Sequence, residues 1–230
     1  MEPALRRAQR SLATGTERRD LLDREHIRLL MRLSLADDAN CIDIGANVGE
    51  VLEEMVAIAP QGRHVAYEPL PDLAADLARR FPQVDVRNAA VSDSTGKTPF
   101  YRVRSASTRS SLSPAGLDPN DLEPIQVRVE VLDDALPRDY VPALIKIDVE
   151  GNEAAVLRGA KRLLAEHHPI VIFEHGQSGA RDPGTSREIH VLLSSLGFRL
   201  FDADANGPLT VDELETVVEC GRIWTFVAHP

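Results

Sequence analysis

Short apolar segments alternate with amphipathic segments along most of this 230-residue chain. The apolar segments predict strands at 41–45, 63–67, 84–87, 143–147, 169–173, 198–202 and 223–228. The amphipathic segments predict helices at 48–59, 71–81, 152–165 and 185–196. Because strands that alternate with helices usually pair in parallel, we predict an α/β fold with a doubly wound, mostly parallel, seven-stranded sheet. The last two strands are close enough in sequence to pair antiparallel.

The first 38 residues have a different pattern from the remainder of the chain. Residues 1–16 are polar, and leucines then recur at helical spacing between residues 20 and 35. This pattern predicts a loose arm followed by an amphipathic helix. We expect this helix to cover the main domain, which we place at 39–230.

A second segment, at about 92–125, interrupts the alternation. It is rich in Ser, Thr, Pro, Asp and Gly, and its apolar stretches at 98–103 and 126–132 are compatible with strands. We interpret this segment as an insertion loop that closes over a bound substrate, which we call the acceptor. Arg109 and Ser110 would then donate hydrogen bonds to acceptor hydroxyl groups.

The turn after the first strand carries the most informative motif. Asp43 is followed by Gly45, Ala46, Asn47 and Gly49, so an apolar strand leads through a Gly-x-x-x-Gly turn into a helix. Glycines let the backbone come close to a ligand. A dinucleotide-binding turn has Gly-x-Gly-x-x-Gly, and Asn47 stands here at the middle position. Because a carboxylate beside the turn repels a diphosphate and suits a cation, these five residues predict a site for S-adenosylmethionine (SAM) rather than NAD.

Three further strand ends add polar or small residues to this predicted site. Glu68 follows the second strand, where a carboxylate can accept from both ribose hydroxyls of a nucleoside. Asn88 and Ala89 follow the third strand, where we expect them to border the adenine ring. Asp148 ends the fourth strand. Ligands of open α/β sheets bind at the carboxyl ends of the strands, so we assign all four residues to the cofactor site.

A SAM site predicts methyl transfer, which needs in-line geometry, exclusion of water and a base for any proton that the methylated group loses. The ionisable residues at the ends of the fourth and fifth strands are Asp148, Glu174 and His175. We predict that one of them is the base, and histidine is the residue type that titrates nearest neutral pH. The same three side chains are candidate ligands for a divalent cation such as Mg²⁺ that polarises the acceptor hydroxyl.

In the order and spacing of these motifs, the chain resembles the FkbM-type SAM-dependent methyltransferases. The resemblance rests on the segments 42–49, 67–69, 88–93, 110–112, 145–153 and 156–160. It implies the class I, Rossmann-like methyltransferase fold and SAM as cofactor. It also implies methyl transfer to a hydroxyl of a small polar acceptor, such as a sugar, an oligosaccharide or a glycosylated natural product.

Composition limits the partners and the compartment. The chain has 36 acidic and 26 basic side chains and a net charge of −10, which disfavours nucleic acids and anionic membranes. Its two cysteines, Cys41 and Cys220, lack metal-binding spacing and indicate a reducing compartment. No apolar run has the length of a membrane span, and no signal peptide is evident. We therefore expect a cytoplasmic protein with a small-molecule or saccharide acceptor, and a homodimer remains open.

Residues 202–213 match the formula of a calcium-binding EF-hand loop at every specified position. An EF-hand needs an entering helix, whereas a strand is predicted before Asp202. We therefore interpret the segment as a tight turn at Gly207 followed by a helix that Thr210 and Glu213 cap. The favoured function is an O-methyltransferase. The alternatives are an NAD-dependent dehydrogenase and a SAM- or calcium-binding module without methyltransferase activity.

Overall fold

The computed structural model describes residues 15–106, 110–115, 117–176 and 183–230. In chain order, the strands are β1 (Asn40–Ile44), β2 (Val65–Tyr67), β3 (Asp85–Arg87), β4 (Ala90–Val91), β5 (Gly96–Val103), β6 (Leu122–Glu130), β7 (Pro142–Ile147), β8 (Ile170–Glu174), β9 (Arg199–Asp202) and β10 (Thr225–His229). The α-helices are α1 (Gly15–Ser34), α2 (Glu50–Ile58), α3 (Pro71–Arg80), α4 (Leu132–Ala135), α5 (Glu153–Arg158), α6 (Lys161–His167), α7 (Pro183–Ser195) and α8 (Val211–Cys220). A 3₁₀ turn at Pro119–Asp121 precedes β6.

Seven strands form the main sheet in the order β3-β2-β1-β7-β8-β10-β9. The first five of these pair in parallel, whereas β10 runs antiparallel to both β8 and β9. The predicted α/β fold with a mostly parallel seven-stranded sheet is therefore confirmed, as is the antiparallel pairing of the last two strands. The strand order reverses between β1 and β7, and ligands of open α/β sheets bind beside such a reversal.

Alternate side chains of the central strands pack against helices on opposite faces of the sheet, as the two-residue period of a strand requires. On one face, Ile42, Ile145 and Phe173 belong to the largest apolar cluster, to which α5, α6, α7 and α8 contribute. On the other face, Cys41 and Leu144 pack against α1 and α2. Side chains at the ends of the central strands therefore point to one or the other of these two faces, according to their position in the strand.

Helix α1 lies where the leucine pattern predicts an amphipathic helix. Ile27 and Met31 are buried against the sheet, whereas Leu29 and Leu33 are exposed. Residues 1–14 of the arm predicted at 1–16 lie outside the described residues. None of the helices in the described ranges combines the length and the apolar character that a membrane span needs.

Within the predicted insertion at about 92–125, the two stretches considered compatible with strands, at 98–103 and 126–132, correspond to β5 and β6, which form a long antiparallel hairpin. Together with β4 they make a second, three-stranded sheet. Phe100, Val127 and Val129 are buried against Leu70 and Ala90. Their alternation with polar residues is a strand pattern that the abundance of Ser, Thr and Pro obscures.

The helix predicted at 152–165 is divided into α5 and α6. Gly159 lies at the break, and its carbonyl accepts a hydrogen bond from the Asp133 backbone N–H at 2.9 Å. The Asp133 carboxylate accepts from the backbone N–H groups of Arg162 and Leu163, so it caps the first turn of α6. A Cβ at position 159 would lie 2.3 Å from the Ser92 carbonyl oxygen. Contacts with distant segments therefore set this break.

The segment that matches a calcium loop follows strand β9 instead of a helix. Asp202 accepts hydrogen bonds from the backbone N–H groups of Asp204 and Asn206, and Thr210 and Glu213 form a complete capping box for α8. Among the described residues no three His, Cys, Asp or Glu side chains are grouped to hold a metal ion. The structural interpretation of this motif is confirmed.

We expect Met31→Ala to lower the free energy of unfolding by about 2–5 kcal/mol, because it leaves a cavity beneath α1. Leu33→Ala, on the exposed face of the same helix, should change it by less than about 0.5 kcal/mol. Urea unfolding followed by circular dichroism measures both values. Equal effects of the two substitutions would contradict the seating of α1 on the sheet.

Candidate functional site

A cleft opens at the carboxyl ends of β1, β2 and β7, beside the reversal of strand order. Its walls come from three strand ends and from the second sheet. The lining residues include Gly45, Asn47, Glu68, Ala89, Ala90, Phe100, Ser110, Leu112, Asp148 and Glu150. Five of the residues predicted from the sequence to bind a cofactor therefore meet in one cleft.

The turn after β1 is held close to the ends of two neighbouring strands. The backbone N–H groups of Gly45 and Ala46 both donate to the Tyr67 carbonyl at 3.0 Å. A Cβ at position 45 would lie 1.8 Å from the Asp148 carbonyl oxygen, and Gly45 has a φ of 78°. Only glycine fits here, because any other side chain would collide with the backbone after β7.

Two other residues of this turn that the sequence predicts to bind the cofactor, Ala46 and Gly49, pack against the protein interior. A Cβ at Gly49 would lie 2.5 Å from the Leu77 side chain, so this glycine allows α2 to pack against α3. Ala46 is buried in an apolar cluster with Leu52 and Phe81. Neither residue lines the cleft.

Glu68 is the best-defined polar group of the cleft wall. It is buried, and its two carboxylate oxygens accept from the backbone N–H groups of Asn47 and Leu70, each at 2.8 Å. Burial raises the pKa of Glu68 to about 7, although these two hydrogen bonds act in the opposite direction. A carboxylate offers about four acceptor positions, so this side chain is held in place with capacity for two further donors.

Asn88 and Ala89, which follow β3, have different roles. The Asn88 side-chain amide donates to the carbonyl oxygens of Glu68 and Pro69, both at 3.0 Å. It therefore secures the segment that carries Glu68 and does not line the cleft. Ala89 is buried and lines the wall directly.

A buried lysine, which sequence reasoning missed, lies beneath the cleft. The Lys146 ammonium is 3.2 Å from Asp148 Oδ2, 3.6 Å from Asp43 Oδ1 and 3.2 Å from the Gly45 carbonyl oxygen. Burial acts to lower the pKa of Lys146, but Asp148, Asp43 and Glu174 outweigh it and the pKa is raised. The signal in the sequence is a lysine within an otherwise apolar strand, since a buried lysine needs carboxylate partners.

Asp43 is fully buried below the turn and is not part of the cleft wall. Neither carboxylate oxygen has a hydrogen-bond partner among the described residues, and Lys146 supplies the neighbouring charge. Burial raises the pKa of Asp43, and Lys146 offsets part of this effect. The sequence predicts that Asp43 projects toward a ligand. In the structure its carboxylate lies beside the Lys146 ammonium instead.

Glu174 ends β8 on the face of the sheet that α1 covers. Burial and the charge of Asp148 together raise the pKa of Glu174 to about 8, against the opposing effect of Lys146. Asp20 of α1 is another of the carboxylates that act on it. A carboxylate whose pKa lies near the working pH is suited to accept a proton.

His175 points to the opposite face from Glu174, because consecutive strand residues alternate. Its Nε2 is 2.9 Å from the Ser186 hydroxyl and its Nδ1 is 3.5 Å from Glu153 Oε2, and all three side chains are buried. Asp148, Glu174 and His175 therefore do not converge. Within the described ranges no metal-binding group is present, so the proposed divalent cation is not supported.

The second sheet contributes one wall of the cleft. Phe100 and Leu112 line it, and Ser110 accepts from the Val103 backbone N–H at 3.0 Å. The Ser111 hydroxyl donates to the Glu150 carbonyl at 2.8 Å, which attaches this segment to the end of β7. Arg109, predicted to contact the acceptor, lies outside the described residues.

Comparisons with known proteins agree with this architecture. The Methyltransferase FkbM domain matches residues 43–200. A methyltransferase FkbM from Methylobacillus flagellatus KT superimposes with a TM-score of 0.54 at 20% identity, over 85% of this chain and 44% of that one. A putative rRNA-methylase from Clostridium thermocellum gives a TM-score of 0.50 at 8% identity, over 88% of this chain and 92% of that one. At such identities these structures show the fold, which is that of class I SAM methyltransferases.

A curated relative is the AMB antimetabolite synthetase AmbE of Pseudomonas aeruginosa strain PAO1, which is 28% identical over 206 residues. That match covers 72% of this chain and 10% of the synthetase, so the chain spans about a tenth of the length of this relative. The domain match at 43–200 extends over more than half of the chain and contains the glycine turn, Glu68 and the strand end at Asp148. This chain belongs to the FkbM methyltransferase domain family.

Proposed function

We propose that this protein transfers the methyl group of SAM to a hydroxyl oxygen of a small polar acceptor, with a sugar or a glycosylated compound as the favoured class. The observation that carries the proposal is a pair of carboxylates at strand ends on either side of β1 and β7: Glu68 after β2 and Glu174 at the end of β8. Glu68 suits a ribose, and Glu174 suits an acceptor proton.

The cleft fits the nucleoside part of SAM on chemical grounds. Glu68 has acceptor capacity for two ribose hydroxyls, and Ala89 and Phe100 offer a small and an apolar surface for an adenine ring. Because Gly45 has no side chain, the turn lies close to the Asp148 backbone at this position. When bound, SAM supplies an electrophilic methyl group.

On the acceptor side, the residues of this chain hold and move a proton. Glu174, with a pKa raised to about 8 by burial, accepts the proton of the acceptor hydroxyl as the oxygen attacks. Asp148 accepts a hydrogen bond from the acceptor and positions it. Lys146 pairs with Asp148 and stays an ammonium, because its three carboxylate neighbours raise its pKa. Helix α1 covers this side and excludes water.

The rival functions make different demands on the same residues. A dehydrogenase would place a pyrophosphate against the turn, where Asn47 replaces the middle glycine and the Asp43 and Asp148 carboxylates lie close by. A SAM-binding module without activity would not need a carboxylate with a pKa near 8. SAM binding without turnover, in a screen of hydroxyl acceptors with methyl-labelled SAM, would favour the binding module.

Replacing Glu68 by Ala should weaken SAM binding by about 1–3 kcal/mol, because two buried ribose hydroxyls lose their acceptor. This corresponds to an increase in Kd of about 5- to 150-fold. Isothermal titration calorimetry with SAM measures it, and circular dichroism establishes that the variant is folded.

The matched control is Glu123→Ala, since Glu123 is exposed on β6 away from the cleft. Its Kd for SAM should remain within twofold of the parent value. Unchanged affinity in a folded Glu68→Ala variant would show that the cofactor binds elsewhere.

Glu174→Gln should lower kcat by about 10²- to 10⁴-fold while the Kd for SAM changes little, since a general base acts mainly in the transition state. In the parent enzyme, kcat should rise as the pH rises through about 8, because only the ionised carboxylate accepts a proton. That rise should be absent in the variant. Steady-state rates between pH 6 and pH 10 measure both effects.

Two variants serve as controls for this experiment. Glu166→Gln, on the exposed surface of α6, should leave kcat and its pH profile unchanged. His175→Gln should reduce stability while the rise in kcat near pH 8 persists, because His175 faces Ser186 and Glu153. If His175→Gln removed the pH dependence and Glu174→Gln kept it, the assignment of the base would be reversed.

A further inference from the structure

A second pocket, of about 710 Å³, opens between the first turns of α1 and the segment that joins α8 to β10. Besides two glycines, its lining residues are Arg18, Arg19, Leu22, Arg222 and Trp224. The chain as a whole carries a net charge of −10, yet no acidic residue of the described chain lines this pocket. Among the described residues, the pocket therefore has basic and no acidic lining residues, and Asp20 lies beside it, hydrogen-bonded to the Trp224 side chain.

Two of the three arginines have no partner among the described residues. Arg19 is neutralised by ion pairs with Asp23 and Asp204. Arg18 and Arg222 are exposed, and neither has a hydrogen bond or an ion pair with any other residue in the described ranges. Their guanidinium groups are available as hydrogen-bond donors for an anion, and guanidinium geometry matches both phosphate and carboxylate.

The pocket adjoins the end of the sheet that carries Glu174. The Trp224 carbonyl accepts from the His175 backbone N–H at 2.7 Å, and Thr225 is the register partner of Glu174. Asp20, between the pocket-lining residues of α1, is one of the carboxylates that act on Glu174. The arginine pocket and the acceptor side of the cleft are thus neighbours at the carboxyl edge of the sheet.

We propose that Arg18 and Arg222 bind an anionic group, a phosphate monoester or a carboxylate, on the acceptor molecule. The indole of Trp224 and the Leu22 side chain form an apolar floor for the part of the acceptor next to that anion. The identification of the anion as part of the acceptor rests on the proposed function. Binding of the anion to the two arginines does not rest on that function.

Charge distribution supports one orientation of such an acceptor. The arginine pocket attracts an anion, whereas the Lys146 ammonium near Glu174 is buried and already compensated by Asp43 and Asp148. An acceptor with an anion at one end and a hydroxyl at the other is therefore oriented with the hydroxyl toward Glu174. The pocket would be a specificity determinant, because a neutral acceptor gains nothing from the two guanidinium groups.

The binding part of the proposal can be tested without methyl transfer. Trp224 is the single tryptophan of the chain, so intrinsic fluorescence reports on this pocket alone. The full chain is titrated with glucose, glucose 6-phosphate, glucuronate and inorganic phosphate, and calorimetry gives independent values of Kd. We expect the anionic probes to change the emission and to bind more weakly as salt rises, and glucose to do neither.

Arg18→Gln and Arg222→Gln should each raise the Kd of the tighter anionic probe by about fivefold or more, and the double variant by about tenfold or more. The matched control is Arg138→Gln, because Arg138 is exposed and lies outside the pocket. It should leave the Kd unchanged. If glucose 6-phosphate binds much better than glucuronate, the anion is a phosphate, and the reverse order assigns a carboxylate.

Three results would overturn the proposal. The first is no response of fluorescence or heat to any anionic probe, and the second is an equal loss in Arg138→Gln. The third is anion binding with no preference for anionic over neutral hydroxyl compounds in turnover with labelled SAM, which would reject the assignment to the acceptor. The first two results are obtained without methyl transfer, so a failure of the proposed base is distinguishable from a failure of this site.

Discussion

The cleft depends on one buried cation. Lys146 belongs to β7, which pairs with β1. Its ammonium lies near Asp43, Asp148 and the Gly45 carbonyl oxygen. Removing a single partner from such a group leaves a buried charge without compensation, which costs several kcal/mol. The ends of the two strands are therefore held in one arrangement at the point where the strand order reverses. Asp148 is thereby fixed at the base of the cleft.

This arrangement separates two chemical environments that share one sheet edge. On the side of β2, Glu68 is immobilised by two backbone N–H groups and has capacity for further donors. On the side of β8, Glu174 lies among other carboxylates, and burial raises its pKa to about 8. The Glu68 and Glu174 carboxylates therefore lie at strand ends on opposite sides of the central β1–β7 pair.

The second sheet shows how an insertion becomes part of a site. The hairpin of β5 and β6 buries Phe100 against Leu70, and the Ser111 hydroxyl is bonded to the end of β7. The wall that it forms faces Glu68 and Ala89, the residues assigned to the cofactor. The segment thus lines the predicted nucleoside pocket, whereas the sequence had assigned it to the acceptor.

The sequence by itself determined the strand–helix alternation, the glycine turn, Glu68 and Asp148, because period, turn chemistry and position at strand ends are local properties. Only the tertiary structure decided which faces those residues occupy. His175 was separated from Glu174 by strand alternation against α5 and α7, and Lys146 became a central residue because β1 lies beside β7. Pairing between distant strands brings such charges together, and no spacing along the chain encodes their distance.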